Sequence, residues 1–116
     1  MANEIELLKH LYNRFNARDI ESVLAALHPE VAWANGMEGG HVLGRDGVRS
    51  YWTRQWTTLA PHVEPVAFYD GFDGRVVVEV HQVVRNLAGE VLVDLMVGHI
   101  FTIENGFVKR FDIRGA

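Results

Sequence analysis

The stretch GHIFTIENGFVKRFDIRG, residues 98–115, decides how this chain folds. Asn105-Gly106 lies between two β-rich runs. A two-residue type I′ turn needs positive φ at both positions, which Asn and Gly adopt most readily. Pairing can then be counted outward from the turn. With Glu104 and Phe107 flanking it, Ile103 faces Val108, Phe101 faces Arg110 and His99 faces Asp112, and directly opposed residues share one face of a sheet. Regular pairing thus predicts a histidine beside an aspartate inside an otherwise apolar ladder.

Moving toward the N-terminus, Arg75 to Arg85 and Val91 to Ile103 read as β-branched runs joined across Asn86-Leu87-Ala88-Gly89. Val63 to Tyr69 is a further strand, weakened by Pro65, and Asp70-Gly71-Phe72-Asp73-Gly74 turns the chain. Before it, Val48, Tyr51, Trp52, Gln55, Trp56 and Leu59 trace one helical face from an N-cap at Asp46 until Pro61 closes it. Val31, Trp33 and Asn35 alternate with alanines in a short strand that runs into the Gly-rich stretch Gly36-Met37-Glu38-Gly39-Gly40, read as a loop. Ile5, Leu8, Tyr12 and Phe15 mark the first helix. Asp19 caps a second, which carries Val23, Leu24 and Leu27 and ends at His28-Pro29. The order is helix, helix, strand, helix, then four antiparallel strands, which predicts an α+β fold with helices on one face of a mostly antiparallel sheet. There is no linker and no internal repeat, so residues 1–116 read as one domain.

Composition narrows the function. With 48% hydrophobic and 22% charged residues in a chain of 116, a packed core is expected rather than disorder. A net charge of −4 argues against a nucleic-acid partner, because phosphate neutralisation needs clustered Lys and Arg. The absence of cysteine removes thiolate nucleophiles and Cys-based metal sites. No basic leader and no run of about 20 apolar residues is present, so a soluble, cytoplasmic protein without a membrane partner is expected.

The element order, the Gly44-Arg45-Asp46-Gly47-Val48 entry to the third helix, the PEVAWANG strand and the HIFTIENGFVKRFD hairpin resemble the SnoaL-like polyketide cyclase branch of the nuclear transport factor 2-like superfamily. The resemblance spans nearly the whole chain. It implies a curved, cone-shaped sheet around an apolar central pocket, commonly dimeric through the sheet's outer face. The superfamily includes ketosteroid isomerases, cyclases, epoxide hydrolases and many non-enzymes. In SnoaL-type cyclases a His and an Asp on the last two strands serve the site, and His99 and Asp112 hold matching positions. The isomerases' pocket pair of tyrosine and aspartate is not matched as a pair, and the resemblance implies only that Tyr12 falls near the tyrosine's position. The Arg-x-Asp motif of the epoxide hydrolases is replaced here by Val80-His81-Gln82, which argues against their mechanism.

A carboxylate beside an imidazole moves its titration toward neutral pH, where one group can take and return a proton. His99 and Asp112 are therefore the candidate catalytic pair. A second pair, His81 with Asp94, falls on the opposite sheet face, and a one-residue bulge in either strand exchanges the two. Tyr12, Trp33, Trp52, Trp56 and Phe101 are candidate walls for a flat ligand, and Asn35 a candidate polar anchor. His10, His28, His41 and His62 read as surface residues, and no metal or other cofactor is expected. The expected function is cofactor-independent acid–base chemistry on an apolar, oxygenated small molecule, of the isomerase, cyclase or hydrolase class. The alternative is a ligand-binding or interaction domain with the same pocket and no chemistry. A homodimer through the sheet is expected in either case.

Overall fold

In the computed structural model, which describes residues 2–36, 38–71 and 73–114, three helices pack into the hollow of one curled sheet. The helices are α1 (Ala2–Asn16), α2 (Ile20–Ala25) and α3 (Gly44–Gln55). The strands are β1 (Leu27–Ala34), β2 (His41–Leu43), β3 (Leu59–Asp70), β4 (Arg75–Asn86), β5 (Val91–Glu104) and β6 (Phe107–Arg114). They run in the order β2-β1-β6-β5-β4-β3, antiparallel except where β1 meets β6. This is the α+β architecture expected from the sequence, open at both edges and bent into a cone. No described helix is long and apolar enough to cross a membrane.

Asn105 at φ 53° and Gly106 at φ 81° form the type I′ turn, and Asp19 caps α2 by accepting from the Ser22 amide at 3.3 Å. Three boundaries differ from expectation. Residues 27–30 open β1 instead of ending α2, because Leu27 is wholly buried beside Val108 in the sheet. Residues 41–43, which follow the Gly-rich loop and belong to no element expected from the sequence, form the edge strand β2 on β1. Helix α3 starts at Gly44, with Leu43 rather than Asp46 at its N-cap, and ends before Trp56, so that Leu59 already pairs with Asn86 in β3. Met1, Met37, Phe72, Gly115 and Ala116 lie outside the described residues.

The consequential difference lies in the hairpin itself. Ile103 pairs with Val108 as counted, but Thr102 pairs with Arg110, Phe101 with Phe111, Ile100 with Asp112 and His99 with Ile113. Lys109 is an extra residue in β6, a β-bulge. Its cause is legible in the side chains. Regular alternation from the buried Val108 would send Arg110 and Asp112 into the core and Phe111 and Ile113 outward. The bulge instead keeps both Val108 and Phe111 inside, where Phe111 stacks on Trp33 at 4.1 Å between centroids. Burying two charges costs several kcal/mol, more than one interrupted ladder position. Further irregularities at Val66 in β3 and Leu92 in β5 add to the curl.

Candidate functional site

The inner face of the sheet carries Val78, Val80, His99, Phe101, Val108 and Phe111, all buried, and α1 and α3 close over it with Leu11, Tyr12, Phe15, Tyr51 and Trp52. Between them remains a cavity of about 230 Å³. Trp33, Trp52, Phe15, Phe101 and Phe111 supply its aromatic wall, while Leu59, Pro61, Val63, Val84, Val93 and Ile113 line the rest of it with aliphatic groups. The polar lining side chains are Tyr12, Tyr51, Gln55, Gln82 and His99; among the described residues no Asp, Glu, Lys or Arg lines it.

His99 is brought to Tyr12, not to Asp112. The Tyr12 hydroxyl lies 2.7 Å from His99 Nδ1, a contact between residues 87 apart in sequence, with the two rings nearly parallel. The His99 ring also meets Phe111 and Phe101 edge-on, at 4.7 and 6.1 Å between centroids. Only 5% of His99 is exposed, and burial pushes its pKa from 6.5 down to about 4, so the ring is neutral at pH 7. Burial likewise raises Tyr12 well above 10. A phenol and a neutral imidazole share one proton position between them. Tyr12 Oη has no other acceptor among the described residues, so the satisfied arrangement has Tyr12 O–H donating to Nδ1 and the ring proton on Nε2. Nε2 makes no hydrogen bond to the described residues, and it is the nitrogen left for a ligand.

The predicted His99–Asp112 pair is therefore corrected. The bulge turns Asp112 to the outer face, where its carboxylate meets His41 Nε2 at 2.8 Å and Arg110 Nε at 2.9 Å. Burial tends to raise its pKa, but the hydrogen bonds from Arg110 and His41 outweigh that and hold it below the usual carboxylate value. The histidine that meets Asp112 is thus His41 of β2, which the sequence reading left on the surface. His81 and Asp94 do contact each other, at 2.7 Å between Nε2 and Oδ1, diagonally across β4 and β5 on the same exposed outer face. That face does not line the cavity.

Of the other candidates, Tyr12, Trp33, Trp52 and Phe101 line the cavity, and Asn35 and Trp56 do not. The Asn35 amide closes the turn after β1, accepting from the Glu38 amide at 2.9 Å and donating to the Glu38 carboxylate at 3.1 Å. Trp56 backs the wall, stacked on Trp52 at 5.8 Å and under the Arg18 guanidinium at 5.0 Å. Its buried Nε1 has no hydrogen-bond partner among the described residues. Tyr51, Gln55 and Gln82 escaped the sequence reading as polar site residues. Tyr51 and Gln55 lay on the predicted inner face of α3, but nothing in the sequence showed that Tyr51 Oη would accept from the Gly36 amide at 3.2 Å and from Gln55 at 3.3 Å beside a cavity.

Comparison with known proteins agrees with this architecture. A sequence model described as a SnoaL-like domain matches residues 8–111. An NTF2-like protein of unknown function from Burkholderia pseudomallei K96243 superposes with a TM-score of 0.86 at 29% identity, over 100% of this chain and 92% of that one. TerC, co-crystallised with polyporic acid, gives 0.85 at 30% identity over 98% and 92%. The epoxide hydrolase/cyclase-like enzyme SalBIII, tied to pyran ring formation in the polyether salinomycin, gives 0.83 at 16% identity over 97% and 90%, a likeness of fold alone. No curated protein matches the sequence. A matching domain model over most of the chain, together with a cone whose cavity lies between α1, α3 and the inner sheet face, places this protein in the SnoaL-like family of the NTF2-like superfamily.

Proposed function

We propose that the protein is a small-molecule enzyme that relocates a proton on an apolar, oxygenated ring compound, with His99 as the group that carries the proton. The observation behind this reading is a buried, neutral imidazole, tethered at Nδ1 by Tyr12 and offering Nε2 to an apolar cavity. The cavity is about half as large again as an engineered void of about 150 Å³ that accepts benzene, so its occupant has one or two rings. In one tautomer Nε2–H donates to a ligand oxygen. In the other, Nδ1–H donates to Tyr12 Oη and the Nε2 lone pair takes a proton from the ligand. The imidazolium so formed is disfavoured by burial, so it returns the proton at once, to a second ligand atom, and becomes neutral again. Removal from one atom and delivery to another is the elementary step of isomerisation and of many ring closures. Trp33, Trp52, Phe101 and Phe111 hold the ring in place. That TerC was co-crystallised with polyporic acid supports an oxygenated organic ligand for this chain too.

The test is turnover across a panel of one- and two-ring ketones and enols. His99→Gln is expected to lower kcat at least about 100-fold, the usual range for loss of an acid–base group, and Asp112→Asn to leave it within about twofold. Undiminished turnover in His99→Gln would reject the reading. One observation favours a second reading, binding without chemistry: no carboxylate lines the cavity among the described residues, so Nε2 has no partner base. Tight binding of panel compounds with no turnover of any would favour it.

We further infer a homodimer through the outer face of β3, β4 and β5. Tyr69 and Met96 are 51% and 45% exposed there, and Val77, Val83 and Ile100 are half-buried around them.

A further inference from the structure

We infer that the cavity takes a phenol or enol ligand in its neutral, protonated form and rejects the corresponding oxyanion. This rests on the reading of the cavity as a ligand site and adds the ionisation state of what enters it.

Among the described residues, three titratable side chains face the cavity. Helix α1 contributes Tyr12 as its only titratable group, α3 contributes Tyr51, and β5 contributes His99. The lining residues of β1, β3, β4 and β6 include no charged side chain. Beside Phe111 on β6, Arg110 and Asp112 point away from the cavity and pair with each other and with His41 on the far side of the sheet. An anion entering this space would lose its hydration and meet no cation, a cost of several kcal/mol unless two or three donors replace the water.

The donors on the cavity wall are all uncharged and are spread over α1, α3, β4 and β5. Tyr12 O–H is engaged by Nδ1, which leaves Nε2–H as the one donor of the pair. The Gln55 amide donates to Tyr51 Oη, which also accepts from the Gly36 amide. The Gln82 amide, the remaining polar lining group, can donate but is uncharged, and it stands four positions along β4 from Val78, the residue opposite His99. A neutral phenol needs less. Its O–H donates to Nε2 once Nδ1 carries the ring proton, and its ring stacks on the aromatic wall. The cavity has already treated its own groups this way: His99 and Tyr12 are both driven toward their uncharged forms by burial alone.

The test uses the full chain and para-nitrophenol, whose neutral and ionised forms absorb at different wavelengths. Binding is followed by the probe's absorbance and by quenching of tryptophan fluorescence, since Trp33 and Trp52 line the cavity. The expected result is loss of the phenolate band on adding protein at a pH where half the free probe is ionised, with Kd rising about tenfold per pH unit above the probe's own pKa. Gln82→Lys, which puts a cation on the wall, is expected to restore phenolate binding. A bound spectrum of the phenolate type, or a Kd unchanged across the probe's titration, would overturn the inference. Failure to bind at any pH would overturn it together with the ligand-site reading. Selection of the neutral form by a protein whose His99→Gln variant keeps full turnover would leave this inference standing and remove only the catalytic one.

Discussion

His99 shows how a position, more than a residue type, sets chemistry. In water an imidazole titrates near 6.5; against Phe111, Phe101 and Tyr12 it does so near 4. That difference is also a stability statement. Between these two values the unfolded chain holds a proton that the native ring sheds, so the unfolded state binds more protons and native stability falls as pH drops through the window. The contribution of a neutral His99 is complete above about 6.5 and gone below about 4. Its size is on the order of 3 kcal/mol as an upper bound, at 1.36 kcal/mol per unit. Urea midpoints of the wild type should therefore decline between pH 7 and pH 4.5 more steeply than those of His99→Gln, which lacks the titrating ring. Equal slopes would show that the ring is not buried as described. Asp112 illustrates the converse, since its carboxylate is tied to Arg110 and His41 on the outer face and takes no part in this window.

A single residue of β6 governs which side chains reach the cavity. With Lys109 bulged out, Thr102 meets Arg110 and Phe101 meets Phe111; remove Lys109 and the same partners meet in a regular ladder. Deleting Lys109 should thus keep Phe111 inside, losing only local curvature and an exposed ion pair with Glu30 at 3.3 Å. A cost within about 3 kcal/mol is expected, in the range of ordinary single changes. Inserting one alanine after Arg110 should do the opposite, turning Phe111 outward and Asp112 inward, because a one-residue slip exchanges the faces of everything beyond it. Circular dichroism melts and soluble yield distinguish the two. A deletion as damaging as the insertion would mean that the bulge's curvature, not its register, is what the fold requires.

At the scale of the whole molecule the sheet has two unlike faces. The inner one is largely apolar and covered in part by helices, while the outer one mixes Val77, Val83, Ile100 and Met96 with the pairs His81–Asp94 and Tyr69–Glu79. Such a mixture of apolar centre and hydrogen-bonded polar groups suits association of two copies about a two-fold axis. Sedimentation equilibrium at micromolar concentration should give twice the chain mass, and Met96→Glu, which places a charge on the outer face, should return the monomer without altering the cavity. A wild-type protein that sediments as a monomer would rule out the association.

What the sequence determined by itself was much of what depends on local chemistry and on alternation: the type I′ turn at Asn105-Gly106, the Asp19 cap, the order of helices and strands apart from β2, and the burial of Trp33, Trp52 and Phe101. Even the bulge left a trace, since Val108 and Phe111 are both apolar and three apart, a spacing no regular strand can bury on one face. The tertiary structure alone decided which histidine meets which partner. Register passes through the bulge from the far side of the sheet, where β1 pairs with β6 and Trp33 stacks on Phe111, and the Tyr12–His99 contact joins a helix to a strand 87 residues away. Turn propensity and periodicity act over a few residues, whereas the balance between burying charges and interrupting a ladder is struck only when the whole cone has closed.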